Sequence, residues 1–134
     1  MAIKTIETIK DLELLNFGRP FSIELISNDG GIYEKMGQGV ITFNEKQFNI
    51  YIFEGIFKKK FSGKVLEFNF LDIKDVEFGK YGFKHPYVQI YFKENKYIVF
   101  SYYLKIKSYK EQEENINSFF NILGEIEVEV PVDI

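Results

Sequence analysis

A chain of 134 residues with 46% apolar and 28% charged side chains has the balance of one globular domain, long enough to bury a core without staples. The absence of cysteine excludes disulfides and thiolate metal sites and fits a reducing, cytoplasmic setting. A net charge of −3, with Arg19 the only arginine, argues against nucleic acid, whose phosphates call for a Lys/Arg-rich face.

Met1 to Leu15 interrupts its apolar residues with Glu7, Lys10, Asp11 and Glu13, so it is no secretory signal. Ile3, Ile6, Ile9 and Leu12 recur at helical spacing and predict a short N-terminal helix. No stretch approaches the roughly 20 apolar residues of a membrane-spanning helix. Beyond this segment the period changes to two. Fifteen Phe and nine Tyr suit the pleated, half-buried surfaces of strands. The heavy use of Lys, Ile, Asn, Phe and Tyr fits an AT-rich bacterial genome.

Phe21 to Leu25 alternates and ends at the turn signal Asn28-Asp29-Gly30-Gly31. Gly39 to Phe43 and Phe48 to Phe53 flank Asn44-Glu45-Lys46-Gln47 and predict a hairpin. Val65 to Phe70 places Leu66, Phe68 and Phe70 on one face. An irregular piece around Leu71, Ile73 and Val76 follows, then a bent strand over Phe78 to Phe83 with two glycines. Tyr87 to Lys93 and Tyr97 to Tyr103 form the clearest hairpin. Val88, Ile90 and Phe92 share one face, as do Ile98, Phe100 and Tyr102, while the opposite face carries Tyr87, Tyr91, Tyr97 and Tyr103.

The helical period then returns. Ser108-Tyr109-Lys110-Glu111 has the form of a capping box, and acidic residues at 111, 113 and 114 suit the positive end of a helix. Ile116, Phe119, Phe120 and Leu123 make one apolar stripe, with Gly124 placed to cap it. The tail Glu125 to Val130 alternates acid with Ile or Val and reads as an edge strand or a frayed end.

These elements predict a mainly β chain with one C-terminal helix: a curled antiparallel barrel or sandwich of about seven strands, its open end capped by the helix stripe. The order of elements, the Gly39 to Phe43 hairpin, the Phe68 to Val76 stretch ahead of two long strands and the closing helix resemble the pleckstrin-homology-like (PH-like) superfold, including its bacterial and GRAM-type members. The resemblance covers about Phe21 to Leu123. It implies a single domain over 1–134, with a core at about 21–124 and extensions at 1–20 and 125–134. Two departures stand out. The last helix lacks the tryptophan common in eukaryotic members, leaving Phe119 or Phe120 to fill that space. The Ser27 to Gly37 loop is acidic and glycine-rich instead of basic, which runs against phosphoinositide binding. A lipocalin-like barrel with an aromatic-lined cavity is the competing architecture.

Nothing in the sequence has the pattern of a reaction centre. His85, the single histidine, lies in Gly82-Phe83-Lys84-His85-Pro86, read as a loop. Asp72, Asp75 and Glu77 are its only carboxylate candidates and show no catalytic spacing. With one histidine and no cysteine, no metal site and no cofactor are expected. Phosphate-binding glycine motifs are absent, and Gly37-Gln38-Gly39 reads as a turn or bulge.

Two surfaces are candidates for contact. Lys58, Lys59, Lys60 and Lys64, set among aromatics, suit an anionic membrane surface or an acidic partner, or else form a solvated inter-strand loop. Tyr87, Tyr91, Tyr97 and Tyr103 offer large area with polar handles, the chemistry of interfaces, or else cover the core. The function expected is a non-catalytic binding or scaffolding module for a protein or peptide, including a second copy of itself. Exposed sheet edges allow strand addition, and Glu127 to Val130 is a candidate strand to donate. The alternative is a β-barrel that takes a small hydrophobic ligand or touches a membrane surface.

Overall fold

The computed structural model describes residues 2–11, 17–55, 58–81 and 85–127. Two helices, α1 (Ala2–Asp11) and α2 (Glu111–Glu127), enclose seven strands. The strands are β1 (Phe21–Leu25), β2 (Gly37–Phe43), β3 (Gln47–Glu54), β4 (Lys60–Asn69), β5 (Ile73–Tyr81), β6 (His85–Phe92) and β7 (Lys96–Ser101). They form one antiparallel sheet in the order β4-β3-β2-β1-β7-β6-β5. Four strands and three strands meet through a short seam, where β1 pairs β7 only at Glu24↔Ser101 and Leu25↔Phe100. The sheet curls there, and the two halves face each other across a shared core.

That core is aromatic. Phe119 of α2 is fully buried, its ring centroid 5.3 Å from Phe21, 5.3 Å from Phe43, 5.2 Å from Phe48 and 5.7 Å from Phe70. Such tilted and edge-on contacts add about 0.5–1.5 kcal/mol each to the gain from burial. Phe68 stacks on Phe92 at 4.7 Å and so joins β4 to β6 across the gap between the halves. Ile116 and Leu123 complete the buried stripe of α2. Phe120, on its flank, packs on Phe78 and Tyr102. Of the two phenylalanines, Phe119 is thus the one at the centre of the core.

The N-terminal segment, expected as an extension, adds a second apolar layer. Ile6 and Ile9 of α1 are completely buried against Val40, Tyr51, Phe53 and Tyr109 on the other face of the four-stranded half. Strands β2 and β3 are therefore covered on both sides. This is why Phe48 to Phe53 is apolar at nearly every position instead of alternating cleanly.

Several boundaries differ from the sequence reading. Strand β4 begins at Lys60, not Val65, taking two of the four lysines into a strand. Of the piece read as irregular only the 3-10 turn Phe70–Asp72 is so; Ile73 and Val76 already belong to β5, which begins at Ile73 instead of Phe78 and whose register slips by one residue between Ile73 and Asp75. His85 opens β6 in register with Tyr81 and is not a loop residue, while Gly82 to Lys84 lie outside the described residues. Helix α2 starts at Glu111, so Ser108 sits in the preceding tight turn, where the Tyr109 N–H donates to the Ile106 carbonyl, and does not cap the helix. Gly124 lies inside α2, which runs on to Glu127; the cap assigned to it is displaced because tertiary packing of Leu123 carries the helix onward. Residues 125–127 of the supposed tail strand are helical, and 128–134 lie outside the described residues.

One polar network fixes the helix to the sheet. The N–H and C=O of Ser22, on the edge of β1 beyond its pairing with β7, are both taken by the side-chain amide of Gln112. The Ser22 N–H donates to Oε1 at 2.9 Å, and Nε2 donates to the Ser22 carbonyl at 2.8 Å. The same nitrogen donates to the Tyr103 carbonyl at 3.1 Å. One turn on, Asn115 Nδ2 and the Tyr109 hydroxyl both donate to the Pro20 carbonyl, at 2.8 and 2.7 Å. Gln112 thus stands in for a missing strand, satisfying backbone groups that burial would otherwise leave orphaned.

Candidate functional site

The lysine group divides between a loop and an edge. Lys58 and Lys59 lie on the β3–β4 connection, with Phe57 outside the described residues, and Lys60 and Lys64 lie on β4. Gly55 makes this turn with φ +137, and a Cβ there would collide with the Lys58 carbonyl. Each strand lysine has a local neighbour. Lys60 stands opposite Glu54 in register, and the Lys64 ammonium lies 5.7 Å from the centre of the Tyr33 ring. Glu54 in turn accepts the Tyr33 hydroxyl at 3.0 Å. Burial first, then this hydrogen bond and the carboxylate charge, pushes the Tyr33 pKa up to about 12.

The nearby β1–β2 loop is rigidly built and carries acid. Asn28 Nδ2 donates to the carbonyls of Ile26 and Tyr33, and its Oδ1 accepts the Gly31 N–H. Glu34 accepts the Gly30 N–H at 2.7 Å. The backbone N–H groups of Gly30 and Gly31 are thus spent inside the loop.

Three of the four tyrosines do come together. Tyr87, Tyr91 and Tyr97 line the outer face of the three-stranded half, opposite the face of Val88, Ile90 and Phe92. The hydroxyls of Tyr87 and Tyr91 both donate to the Glu77 carboxylate, each at 3.2 Å, and Tyr97 donates to the Asp29 carbonyl at 2.6 Å. The Tyr87 pKa is raised mainly by the Glu77 hydrogen bond, and that of Tyr91 by burial and then the Glu77 charge. Opposite Tyr87, Gly79 leaves room for the ring to lie across the strand; a Cβ there would come within 2.6 Å of it. Tyr103 lies past the end of β7, beside a small cleft with Ser22, Glu24 and Gln38.

The carboxylates considered for catalysis are not gathered. Asp72 meets Lys93 at 3.8 Å on the turn beyond β4, Asp75 accepts the N–H of Val76, and Glu77 holds the two tyrosines. No three acidic or histidine side chains converge as a metal-binding group among the described residues. A cleft of about 760 Å³ opens between the β2–β3 and β4–β5 turns and the end of α2. Its floor is Phe70, Leu71 and Ile122, and its rim is polar. Inside the barrel, the aromatics expected to line a cavity pack on one another.

A feature the sequence did not reveal is the free edge of β5. This strand ends the sheet, pairs only with β6 among the described residues, and lies beside α2. Along its inner side Phe78 is 43% exposed, although its ring meets Phe120 edge-on at 5.2 Å and Phe120 meets Tyr102 at 5.1 Å. The result is a partly exposed aromatic cluster beside a strand edge and a helix. The only hint in the sequence is an aromatic beside a glycine, too common to single out. The other edge strand, β4, carries Lys60 and Lys64, and its pairing with β3 shifts register between Tyr51 and Phe53.

No protein-family model matches this chain, and no curated protein matches it. Among solved structures it is similar to the hSac2 domain from human phosphoinositide phosphatase Sac2. The TM-score is 0.50 with 6% identity, covering 93% of this chain and 78% of that one. At that identity the likeness speaks for the fold alone. No helix among the described residues is long and apolar enough to cross a membrane. Seven antiparallel strands curled about a buried aromatic core and closed by a C-terminal helix give this chain the PH-like fold.

Proposed function

We propose that the chain is a non-catalytic binding module that takes an extended peptide of a protein partner as an added strand on the free edge of β5. The observation that carries this reading is a strand edge unpaired among the described residues, with an exposed apolar side chain beside a helix: Phe78, Phe120 and Tyr102 next to β5. Main-chain hydrogen bonds supply affinity in such an arrangement, and a pocket for alternate side chains supplies selectivity.

Selection from a library of short random peptides displayed on phage tests it. Selected peptides are expected to shift the backbone amide resonances of β5 and the Phe120 turn of α2, and to lose binding in Phe78→Ala. Peptides whose shifts map to the β3–β4 loop and β4 would overturn it. Co-sedimentation with phosphatidylserine vesicles, comparing wild type with Lys58, Lys59, Lys60 and Lys64 all changed to Glu, examines the rival membrane contact. Pelleting of the wild type alone would favour that contact over the peptide edge.

A further inference from the structure

Resting on that reading, we infer that the peptide accepted by β5 alternates basic with apolar side chains, the basic ones falling on the outer face of the sheet. Successive side chains of a strand point to opposite faces, so an added strand meets two different surfaces. On the inner side it meets Phe78 and, behind it, Phe120 and Tyr102. On the outer side the row of β5 nearest the edge is Asp75, Glu77 and Gly79, both carboxylates being exposed. No lysine stands in that row. Lys74 occupies the register slip, and Lys80 falls by alternation with Val76 and Phe78.

Behind the two carboxylates lie the rings of Tyr87 and Tyr91, whose hydroxyls both point at Glu77. The exposed carboxylates of Asp75 and Glu77 are therefore what a neighbouring side chain on this face meets first. A lysine or arginine suits them through charge. An acidic side chain does not. The chain's own C-terminal sequence, acidic at 125, 127 and 129, carries the wrong sign for this edge.

The test uses the full chain and three fluorescein-labelled peptides at matched length: lysine alternating with valine, glutamate alternating with valine, and a block peptide with the lysines grouped before the valines. The alternating lysine peptide is expected to bind at least about tenfold more tightly than either other peptide. In the double variant Asp75→Asn/Glu77→Gln, which keeps acceptors for the tyrosine hydroxyls, its advantage over the glutamate peptide is expected to fall below about threefold. If lysine and glutamate peptides bind alike while shifting β5 amides, the charge rule is overturned and strand addition survives. If the block peptide binds as well as the alternating one, attraction is a matter of net charge and the inference fails. If no peptide shifts a β5 amide, both this inference and the proposed function fall.

Discussion

Replacing Gln112 by Ala removes a fully buried amide that performs three tasks at once. It accepts the Ser22 N–H and donates to the carbonyls of Ser22 and Tyr103. Each such bond contributes about 1 kcal/mol net, and an orphaned buried partner raises the loss. The lost methylene adds a little under 1 kcal/mol. The expected total is about 3–4 kcal/mol, a drop in Tm of roughly 10–15 °C for a domain of this size. Urea unfolding followed by circular dichroism reads the change, provided that the m-value is unaltered. Gln112→Glu sharpens the argument because it keeps the shape. Its second oxygen would face the carbonyls of Ser22 and Tyr103, where only a protonated carboxyl can donate. The folded-state pKa of that glutamate is therefore raised above the unfolded value of about 4.3. Stability of the variant is fully present below about pH 4.3 and is lost as pH rises toward the folded-state pKa, so relative to wild type it is weaker at neutral pH than in acid. A loss below about 1 kcal/mol in Gln112→Ala, or a Gln112→Glu variant insensitive to pH, would refute the view that this amide acts as a surrogate strand.

Three further outcomes follow from the same structure. Phe119→Ala, which vacates the centre of four ring contacts, is expected to cost about 3–5 kcal/mol in urea unfolding; a near-zero change would remove α2 from the core. The Tyr109 pKa is pushed up to about 12, chiefly by burial and then by the Glu111 charge, against a lowering by the Asn115 hydrogen bond. A folded-state pKa above the unfolded value of about 10 gives stability that is whole below pH 10 and fades from there through pH 12; alkaline unfolding of Tyr109→Phe is expected to show a shallower fall over that window. Gly55→Ala forces a side chain into left-handed backbone against the Lys58 carbonyl, and thermal melts are expected to show a loss of about 1–3 kcal/mol with the β3–β4 turn the first region to gain hydrogen exchange.

Periodicity alone was enough for the β6–β7 hairpin and for the closing helix. Val88, Ile90, Phe92, Ile98 and Phe100 are spaced so that only one pleated face can be buried, and Ile116, Phe119 and Leu123 can share a face only on a helix. The same local rule gathered Tyr87, Tyr91 and Tyr97 on the outer face, because side chains two apart in paired strands stay together whatever the fold. What local rules could not reach were the contacts between distant segments. Ser22 and Gln112 are ninety positions apart, and nothing near either one announces the other. The same holds for Ile6 and Ile9, whose layer explains why β3 is apolar on both faces, and for Glu77, whose tyrosine partners lie on the adjoining strand.

Strand ends and the helix cap slipped because tertiary burial outweighs the few tenths to 1 kcal/mol of a local turn or cap preference. The free edge of β5 is the strongest case. Whether a strand is an edge is a property of the whole sheet order, set by the short β1–β7 seam that leaves β4 and β5 unjoined. The sequence by itself therefore determined which residues turn inward, since side-chain alternation is dictated one residue at a time. Only the tertiary structure decided which backbone is left unpaired and which side chains stand beside it, because that follows from pairings between segments far apart in the chain.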